Sequence, residues 1–122
     1  MKNIFIVDDD EMLSMMLEDD LGRNPNYTIT TFSTGEECLK SMYLNPDVVI
    51  LDFNLNTINP DAANGLQILQ QIKQLNRNTQ VIMYSSQEQY GVAVQTIGKG
   101  ALQYVIKDQS AFTKIKAILK EL

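Results

Sequence analysis

Three adjacent carboxylates, Asp8, Asp9 and Asp10, end the apolar run Asn3-Ile4-Phe5-Ile6-Val7. Neighbouring negative charges at a strand end disfavour one another, so such a cluster calls for a compensating cation. Later apolar runs end in polar groups too: Asp52 closes "DVVILD", Ser85 closes "VIMYS" and Lys107 closes "YVIK". If these runs are strands of one sheet, the carboxylates Asp8, Asp9 and Asp52, the Ser85 hydroxyl and the Lys107 amine converge on a single edge. That donor set suits a hard divalent ion, since Mg²⁺ takes oxygen ligands and is usually held by one or two carboxylates plus waters. Such a cation would offset the carboxylate repulsion and keep the aspartates ionised. Each residue also has an ordinary reading: Asp10 or Asp8 as a helix cap, Ser85 as a turn residue, Lys107 as a solvated amine. Their joint placement at four strand ends is what those readings leave unexplained.

The elements that would position these groups alternate along the chain. Strands are predicted over Asn3–Val7, Tyr27–Phe32, Asp47–Leu51, Thr79–Tyr84 and Leu102–Ile106, several rich in Val and Ile. Between them, Leu13, Met16, Leu17 and Leu21 keep helical spacing, with Gly22 near the stop. Thr34-Gly35-Glu36-Glu37 reads as a capping box opening a second helix through about Leu44. Asn64 would cap a third helix over Gly65–Leu75. A fourth is expected from Glu88 to Gly98 and a fifth from Ser110 to Leu122, with Phe112, Ile115, Leu119 and Leu122 on one side. Five β-α pairs predict an α/β fold, a doubly wound parallel sheet covered by helices on both faces. In open sheets of this kind, ligands bind beyond the carboxyl ends of the strands. The runs "VVIL" and "VIMY" are apolar on both sides, as buried parallel strands should be.

Composition removes whole classes of function. A chain of 122 residues, 44% hydrophobic and 20% charged, is expected to form a single domain spanning 1–122. A net charge of −5 argues against direct nucleic-acid binding. No apolar run approaches the ~20 residues that span a bilayer, and the N-terminal run does not read as a secretory signal. The single cysteine, Cys38, fits a reducing cytoplasm and is read as a small helix residue rather than a reactive thiol. The absence of histidine excludes His-ligated metals, Ser-His and Cys-His nucleophile pairs, and a phosphohistidine carrier.

Over almost its whole length the sequence resembles the receiver domain of bacterial two-component response regulators. Asp8-Asp9 after the first strand, Asp52 ending "PDVVILD", Ser85 ending "VIMYS" and Lys107 in "GALQYVIK" carry the likeness. The resemblance implies the flavodoxin-like (βα)5 fold with strand order 2-1-3-4-5. It implies a signalling phosphoacceptor rather than an enzyme, with Asp52 attacking a phosphoryl group on a sensor histidine kinase or histidine phosphotransfer protein. Asp9, Asp52 and the backbone carbonyl of Asn54 would ligate Mg²⁺ (or Mn²⁺), with Asp8 acting mostly through a bound water. The cation and Lys107 would balance charge on the phosphoryl oxygens. Ser85 would hydrogen-bond a phosphoryl oxygen, and Tyr104 would be the switch aromatic. Asn54 and Gln87 would tune the lifetime of the acyl phosphate. The face made by the fourth helix, fifth strand and fifth helix would meet an unspecified output partner, or a second copy as a homodimer.

Three features depart from the family pattern. Leu55-Asn56 replaces the usual Met-Pro, and about five extra residues make Phe53–Asn64 a twelve-residue polar connection where about 2–6 is usual. Ser86 stands where Ala or Gly is common. Asp108 replaces the proline after Lys107, and a cis bond there would cost about 2.5–4 kcal/mol, so a trans or strained bond is expected.

Other readings are weaker. A haloacid-dehalogenase-type phosphatase would use Asp8-Asp9-Asp10 as its Asp-x-Asp motif, but Met12 stands where that family wants Thr or Val, and the chain is short for its core. Turnover of a small phosphate ester would discriminate it. A flavin-binding flavodoxin would need a hydroxyl-rich phosphate loop where three carboxylates stand. A pseudo-receiver, folded but unused chemically, is the remaining alternative.

Overall fold

The structure, a computed structural model, describes residues 1–55, 61–86 and 90–122, and of Tyr90 the backbone alone. Strands β1 (Lys2–Val7), β2 (Tyr27–Phe32), β3 (Val48–Asp52), β4 (Gln80–Ser85) and β5 (Gln103–Ile106) alternate with α1 (Glu11–Gly22), α2 (Gly35–Lys40), α3 (Gly65–Leu75), α4 (Tyr90–Gly98) and α5 (Ala111–Lys120). The strands are parallel in the order β2-β1-β3-β4-β5, the flavodoxin-like topology expected.

Each sheet face has its own core, because successive strand residues point to opposite sides. Phe5, Val7, Val49, Leu51, Val81 and Met83 pack with Cys38 of α2 and Ile68, Leu69 and Ile72 of α3. Ile4, Ile6, Val48, Ile50, Ile82, Tyr84 and Val105 pack with Leu17 and Leu21 of α1 and Ala111, Ile115 and Leu119 of α5. Burial pushes the Cys38 thiol up to about 12, so it stays protonated, in keeping with a small core residue.

Local signals set most helix ends. The Asp10 carboxylate caps α1 by accepting from Leu13 N–H at 3.1 Å. Asn64 and Gln67 form a reciprocal capping box on α3, which spans Gly65–Leu75 as expected. Thr34 accepts from Glu37 N–H, while Glu37 turns its carboxylate to the hydroxyls of Ser33 and Thr34.

Four expectations are corrected. The second helix stops at Lys40, and Met42–Leu44 form a 3-10 turn ended by Asn45 in the left-handed conformation (φ 54°), which buries Met42. Met16 is 54% exposed, and α1 buries Ser14, Leu17 and Leu21 instead. The last helix begins at Ala111 because Asp108 already holds both the N–H and the hydroxyl of Ser110. Leu122 is 40% exposed beyond that helix.

The long connection after β3 is closed at its base. Leu55 is buried in the core beneath α3, and Gly65 N–H donates to Phe53 C=O at 2.8 Å. A Cβ at Gly65 would lie 2.3 Å from the Asp52 carbonyl oxygen and 2.6 Å from Phe53 Cα, both backbone atoms that cannot swing aside. Gly22, at the end of α1, has open space around it. Gly65→Ala is therefore expected to destabilise the fold by about 1–3 kcal/mol in urea titration, while Gly22→Ala stabilises it by about 0.4–1 kcal/mol. Equal effects at the two positions would contradict the tight closure.

Candidate functional site

The register brings the strand ends level. Val7 pairs with Leu51, so the residues that follow, Asp8 and Asp52, emerge side by side. Asp52 in turn pairs with Tyr84 of β4, and Ser85 with Ile106, directly before Lys107. Asp8, Asp9 and Asp52 are all buried, and each offers an oxygen within 4.8 Å of the others. Two backbone amides steady them: Asp10 N–H donates to Asp8 Oδ1 at 2.9 Å and Asn54 N–H to Asp52 Oδ1 at 3.2 Å.

Lys107 crosses from β5 to complete the cluster. Its Nζ lies 3.1 Å from Asp8 Oδ2 and 3.3 Å from Asp52 Oδ1, with the lysine side chain 17% exposed. The same ammonium stands 4.8 Å from the centroid of the Tyr84 ring. A shallow cavity of about 190 Å³ opens here, lined by Asp8, Asp9, Asp10, Asp52, Asn54, Ser86 and Lys107.

One ammonium does not balance three buried carboxylates. Burial, then the neighbouring Asp8 charge, push the Asp52 carboxyl up to about 7, against the lowering effects of Lys107 and Asn54 N–H. The same burial, with Asp8, Asp52 and Asp10 nearby, raises the Tyr84 phenol and keeps it neutral. The donor set is all oxygen, which matches a hard cation. Among the described residues, this acidic cluster is the group that could hold a metal ion.

The structure brings together Asp8, Asp9, Asp52, Asn54 and Lys107. Ser85 is wholly buried at the end of β4, its carbonyl accepting Lys107 N–H at 2.8 Å, and it is Ser86 that lines the cavity. Tyr104 is half-buried against the core beneath α2 and α3, on the sheet face opposite Tyr84. Gln87 lies outside the described residues, as do 56–60 of the long connection and the expected helix start at Glu88. The Lys107–Asp108 peptide is trans. Sequence reasoning passed over Tyr84, which reads as one more apolar residue of "VIMY". Its signal was parity: it shares a sheet face with Ile82 and stands opposite Asp52 in the register.

Among the described residues, no helix is long and apolar enough to cross a membrane. A family model described as "Response regulator receiver domain" matches residues 4–120. The chemotaxis protein CheY of Bacillus subtilis is 28% identical over 120 residues, covering 98% of this chain and 96% of that protein. The response regulator ArlR of Staphylococcus epidermidis is 32% identical over 124 residues, covering 98% of this chain and 53% of ArlR. The receiver domain of NtrX from Brucella abortus superposes with a TM-score of 0.81 at 24% identity, covering 96% of this chain and 95% of that one, a likeness of fold.

The raised Asp52 pKa has a definite sign for stability. A carboxyl that the fold prefers protonated contributes fully below its ordinary value of 3.8, and that contribution is lost as pH rises through about 7. Metal-free Asp52→Asn is therefore expected to exceed the unsubstituted chain in stability by about 1–2 kcal/mol near pH 8, the gap shrinking toward about pH 5. Added divalent cation should narrow the gap at the higher pH. Urea titrations at the two pH values check this, and a pH-independent gap would refute it.

Proposed function

The chain belongs to the response regulator receiver domain family, and from that premise we propose that it accepts a phosphoryl group on Asp52 from a sensor histidine kinase or a histidine phosphotransfer protein. An Asp52 carboxylate oxygen attacks phosphorus, a P–O bond forms, and the P–N bond to the donor's histidine breaks with its electron pair returning to the imidazole. The observation that carries this reading is the Lys107 ammonium standing within 3.3 Å of both Asp8 and Asp52. An anionic nucleophile meeting an anionic donor needs positive charge already in place, and a fixed ammonium requires no reorganisation when the group arrives.

Asp9, Asp52 and the Asn54 carbonyl, with Asp8 through a water, are the groups that would hold Mg²⁺ (or Mn²⁺). When bound, that cation supplies the charge that three carboxylates and one lysine leave unbalanced. Asp8 also anchors Lys107, so its carboxylate serves both the cation and the amine. Ser85 would meet a phosphoryl oxygen by hydrogen bond, and Asn54 and Gln87 would set the lifetime of the product by orienting water.

Aspartyl phosphate adds roughly −1.5 to −2 charges. The response we propose is a reorientation of Tyr104 and a change in the surface of α4, β5 and α5, where Val94, Ile97 and Leu102 are exposed. Thr96 is the α4 side chain buried among those described, so little apolar packing opposes a shift of that helix. That face would meet the output partner or a second copy. The 122 residues act as one cytoplasmic receiver unit in this reading.

Intact mass after incubation with acetyl phosphate tests the proposal. A single adduct that needs Mg²⁺ is expected, absent in Asp52→Ala and formed about 100-fold more slowly in Lys107→Ala, whose lost cation acts on the developing charge. An adduct that survives in Asp52→Ala would overturn the assignment. So would failure of the unsubstituted chain to accept phosphoryl groups from both acetyl phosphate and phosphorylated histidine phosphotransfer proteins.

A further inference from the structure

We propose that the aromatic ring of Tyr84 is a positioning platform that holds the Lys107 ammonium at the acidic site, an inference that rests on the phosphoacceptor reading above. Lysine is a poor fixed charge by nature. Its ammonium rides on a flexible four-carbon stem, and immobilising that stem costs conformational entropy. Here the ammonium must reach from the end of β5 across β4 to carboxylates on β3 and β1, the outward strands of its path being set by the order β1-β3-β4-β5. The side chain it has to cross belongs to β4, and that side chain is Tyr84.

The geometry is specific. Tyr84 pairs with Asp52 on one side and Val105 on the other, and Lys107 follows Val105 by two residues, which returns it to the same sheet face. The Lys107 Nζ lies 4.8 Å from the Tyr84 ring centroid while contacting Asp8 and Asp52. The ring is itself held: it is 3% exposed, packed in the α1/α5 core, with Phe112 of α5 tilted beside it at 6.5 Å between centroids. A cation over an aromatic face is attracted by the ring quadrupole, more strongly where water is scarce.

The ring differs from the other two partners in one respect. Asp8 and Asp52 are also the groups proposed to face a divalent cation, which draws on the same carboxylate charge. An aromatic face is not contested in that way. It keeps the ammonium in place when the carboxylates are committed elsewhere. An aliphatic residue of similar size would fill the core equally well and leave the ammonium to two competing anions.

The test compares Tyr84→Leu with Tyr84→Phe, which keeps the ring. In the metal-free protein, the ε-methylene protons of Lys107 should be shifted upfield by the ring current in the unsubstituted chain and in Tyr84→Phe, and lose that shift in Tyr84→Leu. Phosphorylation by acetyl phosphate should slow by on the order of ten-fold in Tyr84→Leu. Tyr84→Phe should restore most of that rate. Mg²⁺ affinity should change little in either variant. In a Lys107→Ala background Tyr84→Leu should have no further effect, since a ring that acts through the ammonium has nothing left to position. An equal slowing in that background, or an unshifted Lys107 resonance in the unsubstituted chain, would overturn the platform. Failure of phosphorylation in every chain by both acetyl phosphate and phosphorylated histidine phosphotransfer proteins, with the ring-current shift present, would instead overturn the phosphoacceptor reading and leave the positioning standing.

Discussion

Three carboxylates buried at one sheet edge, two of them meeting the Lys107 ammonium, impose the constraint on which this structure depends. In a low-dielectric setting like charges repel strongly, and each buried ion lacks the water that would otherwise screen it. The fold accepts this arrangement because the groups do not come from one flexible segment. Asp8 and Asp9 are fixed by the end of β1, Asp52 by β3 and Lys107 by β5, with backbone amides of Asp10 and Asn54 aimed at two of the acids. The two cores beneath, packed on either face of the sheet, keep those strand ends from relaxing apart. The residual imbalance appears as the raised Asp52 pKa. It is the energetic imprint of burying carboxylates side by side, in a cluster that could hold a metal ion.

The acids and the lysine were legible in sequence because period-two alternation and strand-end placement are local signals. Asp52 after "VVIL" and Lys107 after "YVI" need no tertiary knowledge to be set on one edge. Asn64 capping α3 was legible for the same reason, since a side chain three residues from its partner amide is a local fact. What escaped was non-local. Met16 keeps helical spacing with Leu13 and Leu17, yet only the placement of the neighbouring elements decides that Ser14 faces inward and Met16 faces solvent. The α2 helix ends early, with Ser41 as its C-cap, and the 3-10 turn that follows is closed by Asn45 in a left-handed conformation, which propensity alone does not specify. Tyr84 looks like any β-forming aromatic until the register sets it between Asp52 and the lysine's path.

The insertion after Asp52 is accommodated by the same economy of backbone. Its first buried residue, Leu55, joins the α3 core, and its last step returns so close to the strand that only a residue without Cβ fits at Gly65. Ala63 N–H reaches Glu36 at 2.9 Å, tying the returning segment to α2. The described residues on either side of 56–60 are thereby tied to the core and to α2. Loop-closure entropy grows slowly with length, so such an insertion costs the fold little.

The pairing of Lys107 with Asp8 spans 99 residues of sequence. A ribosome makes a chain from its N-terminus, so the acidic trio exists in full while its counter-charge is still unmade. Until β5 arrives, a nascent sheet of β1, β2 and β3 would have to bury mutually repelling anions, and leaving that edge open to water is the lower-energy course. The electrostatics of the finished site thus join the two ends of the chain, since the acids that follow β1 and β3 gain their ammonium only when β5 stands in the sheet.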